Sequence, residues 1–193
     1  MVLRNTMNDM IQKWVEKVQL GDQDAYENIV NTYKNQIYTL CYRQLGNKSD
    51  AEDAAQEAFI KVYIHIHSFN LNLKFSSWIY RIATNVCIDR LRKKKPDIYL
   101  DKEIEGSEGV DYYSQIPSSE KTPEERALIH ETQDQVQNEI GKLPEKYRTA
   151  IILKYINNLS LQEICEVMDL PLATVKTRIH RGREELKKRL AYV

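Results

Sequence analysis

Apolar residues recur at a period close to 3.6 along almost the whole of this chain, and that spacing confines it to helical folds. Only 6 glycines and 5 prolines interrupt 193 residues, so an all-α protein is expected. One helix is expected from about Asp24, with Tyr26, Ile29, Val30, Tyr33, Ile37, Leu40 and Cys41 inward, ending at Gly46. Ser49 and Glu52 have capping-box spacing and are expected to open a helix that runs to about His65. Ser68 to Phe75 reads as a loop. A long helix then starts at Ser76 or Ser77 and stops before Pro96. Residues 96–121 hold no sustained period and read as a linker. Thr122, Pro123, Glu124 and Glu125 offer an N-cap, a proline at the first helical position and an acidic first turn. Helices over about 123–140 and 144–157 follow.

The last segment, Ser160 to Leu190, carries the most specific pattern. Ser160 and Glu163 form a second capping-box pair, Leu161, Ile164, Val167 and Met168 recur at helical spacing, and Pro171 blocks continuation. Beyond it Val175, Ile179, Gly182, Leu186 and Leu190 make one stripe at i, i+4, i+7, i+11 and i+15. Thr177, His180 and Arg181 lie opposite, flanked by Lys176, Arg178 and Arg183. A helix docked by such a stripe leaves donors and cations for a DNA major groove. A solvated basic helix would explain the charge alone, but not the capped first helix, the turn and the second helix together.

Lys+Arg and Asp+Glu are both 28, so the net charge of zero hides an uneven distribution. Residues 1–95 carry net +4, residues 96–125 net −7 and residues 126–193 net +3. Two basic blocks joined by an acidic spacer suit two nucleic-acid-facing modules. Cys41, Cys87 and Cys165 are distant from one another, set among apolar residues, and read as buried free thiols in a reducing compartment. No C-x-x-C pair exists and His65 and His67 stand two apart, which argues against a zinc site. Met1 to Leu20 is too polar for a signal sequence and no run approaches membrane-spanning length, so a cytoplasmic protein is expected.

Two other helices carry surface patterns. After Ser49, Ala51, Ala55, Ala58, Phe59 and Val62 share a face, while Asp53, Gln56, Glu57 and Ile60 share the other. An acidic face is usually only solvated, but Ile60 within it suggests docking on a cationic partner. From Ser76 to Lys95, Ile79, Tyr80, Ala83, Val86, Cys87 and Leu91 point inward. Trp78, Asn85, Asp89 and Arg92 align on the far side with Arg81 beside them, and Arg90, Arg92, Lys93, Lys94 and Lys95 end the helix. A tryptophan beside Asn and Arg suits unpaired bases: a stacking plane, an edge reader and phosphate neutralisers. Equally, Trp78 could pack under the Ser68–Phe75 loop, with Asp89 pairing to Arg92.

The blocks DAEDAAQEAFIKVY, FSSWIYRIATNVCIDRLRKKK, LPEKYRTAIILKYINNLS and TVKTRIHRGREEL give the chain, over about residues 11–192, a resemblance to bacterial RNA polymerase sigma factors of the extracytoplasmic-function group. YRIATN, DRLRKKKPD and KTRIHRGRE are most like its sigma-W subgroup. The resemblance implies two small helical domains joined by a flexible acidic linker: 1–95 as region 2, 96–121 as linker and 122–193 as region 4.

It also implies residue roles. Asp50, Asp53, Gln56, Glu57 and Ile60 would dock on the clamp helices of the polymerase largest subunit. Phe69, Asn70, Lys74 and Phe75 would belong to a loop that pockets a flipped −10 base, with Trp78 and Asn85 beside it. Arg81, Arg90, Arg92 and Lys93 would neutralise the melted strand. Lys154, Thr174, Lys176, Thr177, Arg178, His180, Arg181 and Arg183 would serve the −35 duplex. Relatives vary at the position of His180, which leaves base preference there open. Implied partners are core polymerase (clamp helices and flap region), promoter DNA and an anti-sigma factor, often membrane-anchored; no cofactor, metal or small-molecule substrate is implied. A stand-alone helix-turn-helix regulator is the rival reading, and it leaves the N-terminal half without a role. An enzyme would need a converging acid–base set or metal cluster, and the acidic residues here follow helix-surface spacing instead.

Overall fold

The computed structural model describes residues 2–94 and 135–191, which are helical and contain no strand. The first helix, α1 (Val2–Gln19), precedes the one expected from about Asp24. Its period was available in Ile11, Val15 and Val18, all buried, and in Trp14, which packs against them. Gly21, at φ 97°, then turns the chain back.

α2 (Gln23–Leu45) is capped by Asp22, whose carboxylate accepts the Ala25 N–H at 3.1 Å, and it ends at Gly46 in the left-handed region, as expected. α3 (Lys48–His65) begins earlier than the Ser49–Glu52 box would place it. The cap is Asn47, whose side-chain oxygen accepts the Asp50 N–H at 2.8 Å. Asn47 is an equally good cap two residues upstream, and Ser49 is left inside the first turn. A single 3₁₀ turn, Ile66–Ser68, leads to the loop, and α4 (Phe75–Lys94) starts one residue before the expected serines.

Of the helix expected over 123–140, only its C-terminal part, α5 (135–141), and of the linker none, lies within the described residues. The caps expected at Thr122 to Glu125 also lie outside them. α6 (Glu145–Ile151) runs directly into a π-helical turn, Ile152–Ile156. α7 (Leu161–Met168) has the expected capping box: Ser160 Oγ accepts the Glu163 N–H at 3.2 Å, and Glu163 accepts the Ser160 N–H at 2.8 Å. It ends on Asp169 in the left-handed region rather than at the proline, and Pro171 instead opens α8 (Leu172–Leu190).

α2 is the centre of the N-terminal bundle, touching α1, α3 and α4, and α6 with α8 forms the C-terminal unit. Burying each Ile, Leu or Val of these cores contributes about 1.5–3 kcal/mol. Cys41 and Cys87 are buried between α2 and α4 and are free. A hydrogen bond with Cys41, together with burial, pushes the Cys87 thiol far above its ordinary range, so it stays protonated.

The two units also pack on each other. α4 lies against α7 and α2 against the π-helical turn. Gln44 and Thr149, each 1 % exposed, are joined by a 3.0 Å hydrogen bond. Arg148 donates to the Gln44 carbonyl at 2.8 Å, and Arg43 donates to the Gln137 side chain at 2.7 Å. Tyr80 is 5 % exposed, and its burial pushes the phenol up to about 12.

Candidate nucleic-acid interface

The helix-turn-helix face is built from α8 outward. Val175, Ile179 and Gly182 are buried, while Leu186 packs at the edge of the core. That anchoring turns Lys176, Thr177, His180, Arg181 and Arg183 to solvent, with Thr174 and Arg178 half-buried at the margin. Thr177 donates its hydroxyl to the Ala173 carbonyl at 2.9 Å, which fixes its rotamer. Arg183 lies 3.6 Å from Glu184. Lys154, on the π-helical turn, is half-buried and donates to the Leu159 carbonyl at 3.4 Å, so its ammonium supports the turn before α7. Lys146 and Tyr147 of α6 border the same surface. They were not found from the sequence because they belong to a different helix from the basic run.

A second face forms where the loop after α3 meets α4. Phe69 and Phe75 are 6 % and 3 % exposed, and Trp78 is half-buried against both, at ring-centroid distances of 5.0 and 5.5 Å. Both readings of Trp78 keep a foothold, for it packs under the loop and retains an exposed portion. Asn70 accepts the Asn72 N–H at 3.0 Å, shaping the loop as an Asx turn. α1 holds that loop from behind. Gln19 donates to the carbonyls of Ile66 at 2.7 Å and Phe69 at 3.0 Å, and Gln12 donates to the Leu71 carbonyl. A cleft of about 160 Å³ opens here, lined by Asn8, Gln12 and Tyr33 together with Leu71 to Ser76. Gln12, Gln19 and Tyr33 escaped the sequence reading of this site; the first two lie on the unanticipated α1.

Four of the cations of this face, Lys74, Arg81, Arg90 and Arg92, are paired. Lys74 lies 3.3 Å from Glu163, and Arg81 lies 3.3 Å from Asp169; both carboxylates belong to the helix-turn-helix unit. Burial pushes the Glu163 carboxyl up, but the Ser160 hydroxyl and N–H and Lys74 outweigh it, leaving it below the usual range. Arg90 grips Glu57 at 2.9 and 3.2 Å and stands 3.9 Å from Asp53. Arg92 and Asp89 are 4.0 Å apart, while Asn85 and Lys93 are exposed.

The third surface is α3. Asp53, Gln56 and Ile60 are exposed, and Tyr63 and Ile64 extend the apolar part of the patch, Ile60 being 60 % and Ile64 62 % exposed. Asp50 sits back at the helix start, bonded to the Asn47 side chain. Glu57 is half-buried, its carboxyl held below the usual range by hydrogen bonds from Lys61 and then Arg90. A contiguous apolar patch rimmed by carboxylates marks an interaction surface. Tyr63 and Ile64 were missed because they continue the patch beyond the acidic run. No helix among the described residues is long and apolar enough to cross a membrane.

Comparison with known proteins places these surfaces in context. Residues 29–96 match the family model of sigma-70 region 2, and residues 133–186 that of sigma-70 region 4. The chain is 57% identical over 184 residues to the ECF RNA polymerase sigma factor SigW of Bacillus subtilis, covering 95% of this chain and 98% of that protein. It is 36% identical over 179 residues to the ECF RNA polymerase sigma-E factor of Escherichia coli, covering 91% of each. Two solved structures share the fold. CnrH in complex with the cytosolic domain of CnrY has a TM-score of 0.69 at 20% identity, covering 95% of this chain and 98% of that one. The sigma factor RpoE of Bartonella quintana, in complex with the anti-sigma factor NepR, has a TM-score of 0.68 at 17% identity, covering 86% and 96%.

Proposed function

Because this chain belongs to the extracytoplasmic-function group of RNA polymerase sigma factors, we propose that its three surfaces divide promoter recognition among them. α3 docks on core polymerase through Asp53, Gln56, Glu57 and Ile60, with Asp50 at its margin and Tyr63 and Ile64 widening the contact. The loop and α4 capture the melted −10 strand, and α8 reads the −35 duplex. The domain limits that go with this division are 1–95, 96–121 and 122–193. The observation that carries the reading is α8 itself: one stripe is buried on α6, and the opposite side presents Lys176, Thr177, His180 and Arg181 in the order a major-groove helix needs.

No covalent chemistry is required of the protein. Bases captured outside the duplex supply binding free energy that offsets melting, at a few kcal/mol per extruded base. Phe69 and Phe75, being buried, act as the wall that positions Trp78, the loop cleft receives a base, and Asn85 reads an edge. Arg81, Arg90, Arg92 and Lys93 neutralise phosphates after leaving their carboxylates.

The two promoter elements lie roughly 25 base pairs apart, about 85 Å at 3.4 Å per pair. Lys74 of the −10 loop and Glu163 of the helix-turn-helix unit are 3.3 Å apart here. Engaging both elements at once therefore requires the two units to separate. The likeness to a sigma factor solved with the anti-sigma factor NepR supports an anti-sigma factor as a further partner, holding the chain inactive in the cytoplasm until an envelope stress releases it.

A gel shift with and without core polymerase tests the proposal. Promoter DNA is expected to be retarded specifically only when core is present. Specific, two-fold-symmetric binding by the chain alone would favour a stand-alone regulator.

A further inference from the structure

Tyr147 lies on α6, outside the helix-turn-helix, yet its Cβ stands beside Gly182, the residue that follows Arg181 on α8. A Cβ at Gly182 would fall 2.7 Å from Ile151 Cγ1 and 3.3 Å from Tyr147 Cβ, so a larger residue would push α8 off α6. The close approach leaves a notch of about 330 Å³ between the helices, with Lys146 and Tyr147 on one wall and Thr174, Thr177, Arg178 and Arg181 on the other. The α8 residues follow i, i+3, i+4 and i+7 spacing, so a single stripe faces the notch. The Lys146 ammonium lies 5.1 Å from the Tyr147 ring centroid. Tyr147 and Arg181 line this notch together, and the guanidinium, foremost, holds the phenol below its usual range, with Lys146 adding to the effect.

From this geometry we infer that Tyr147 is a positioning residue for Arg181, accepting one guanidinium N–H so that the remaining donors are aimed at a −35 base edge. The inference rests on the reading of α8 as the −35-facing helix. An exposed arginine on a long stem samples many rotamers, whereas reading a base with two parallel N–H groups requires one plane and one direction. An acceptor fixed on a neighbouring helix narrows the rotamers before DNA arrives, so less ordering remains to be done on binding. The close approach of Tyr147 Cβ to Gly182 does not need the hydroxyl, so Tyr147→Phe removes the positioning contact and keeps the helix spacing.

The test uses the full chain assembled with core polymerase and a promoter library randomised across the −35 element. Tyr147→Phe, Arg181→Ala and the double variant are compared with the parent. Expected is a loss of discrimination of about three- to tenfold for Tyr147→Phe, confined to the base pairs at which Arg181→Ala also loses preference. The double variant should then match Arg181→Ala alone. An unchanged profile for Tyr147→Phe overturns the inference, as does a uniform weakening across all sequences with a shallower salt dependence, which would make Tyr147 a phosphate contact. If Arg181→Ala leaves every −35 preference intact, the assignment of α8 falls and this inference with it. If Arg181→Ala relaxes preference and Tyr147→Phe does not, the positioning role alone is wrong.

Discussion

On α8 the Lys176 ammonium and the His180 imidazole stand in solvent with no ion pair among the described residues, whereas on α4 and its loop Lys74, Arg81, Arg90 and Arg92 are held by carboxylates. Arg90 is bound to Glu57 within the same unit, and Lys74 and Arg81 reach across to Glu163 and Asp169. On the roles proposed above, the helix-turn-helix face therefore presents much of its charge ready for duplex DNA, while the −10 face must exchange partners before it can hold a strand. Each exposed pair is worth only about 0–1 kcal/mol, so trading a carboxylate for a phosphate is nearly neutral. The buried contacts differ. Separating the units breaks the Gln44–Thr149 hydrogen bond and the Arg148 donation to the Gln44 carbonyl, and a hydrogen bond from a charged donor contributes about 1.5–3 kcal/mol. In the proposed scheme, charge on the −10 face is thus gated by a buried joint that is apolar as well as polar, and charge on α8 is not.

The largest effect is expected on α3, whose exposed residues Asp53 and Ile60 belong to the proposed polymerase-docking surface. Asp53→Lys with Ile60→Glu changes two exposed residues and should leave the melting temperature nearly unchanged. Affinity for core polymerase should fall at least about 100-fold, since mismatched charge across an interface costs several kcal/mol. Unaltered binding in a fluorescence titration would move the docking surface elsewhere. Trp78→Ala comes next. Removing a ring packed on Phe69 and Phe75 should cost about 2–3 kcal/mol, less than a fully buried tryptophan. Exposed Asn85→Ala should not lower the melting temperature. If both variants lose permanganate reactivity of −10 thymines, and a pre-melted template restores part of it, Trp78 serves bases as well as the core. A destabilised Trp78→Ala that opens promoters normally would confine Trp78 to packing.

On the other face, Arg181→Ala is expected to cost about 1–3 kcal/mol at particular −35 base pairs. Lys176→Ala, by contrast, should weaken all sequences alike if it meets phosphate, read as a smaller salt slope in holoenzyme binding. The smallest effect concerns Glu57. Its carboxyl is lowered in the folded chain by Lys61 and Arg90, so its contribution to stability is present above the ordinary carboxylate range and is lost as pH falls through the lowered folded value. Glu57→Gln should remove that part of the acid sensitivity and leave stability near pH 7 slightly reduced. An acid-unfolding curve unchanged by the substitution would show the Arg90 pair to be energetically idle.

Periodicity made α2, α4 and α8 readable, and local chemistry made the Ser160–Glu163 box and the Gly46 stop readable, because each of these rests on residues within a turn or two of one another. α1 shows where that fails. Its apolar stripe of Ile11, Trp14, Val15 and Val18 is present, but it is diluted by polar neighbours and becomes decisive only against α2. At α3 two legitimate caps competed, and Asn47 won over Ser49. The pairings that define the site were out of reach for a different reason. Arg90 with Glu57, Gln12 and Gln19 behind the loop, and Tyr147 beside Arg181 join residues on separate helices, and the third depends on how closely Gly182 lets two helices approach.

Distance between the two units tests the gating of the −10 face most directly. With Cys165 replaced by serine, dyes on exposed Lys17→Cys and Lys187→Cys report that separation by energy transfer. In the free chain, transfer should be efficient and should fall when Arg148→Ala weakens the buried joint. In the complex with core polymerase and promoter DNA it should drop further, to a separation several tens of ångströms longer. Transfer that stays as high in the open promoter complex as in the free chain would contradict the claim, because the two DNA faces would then be working without ever having come apart.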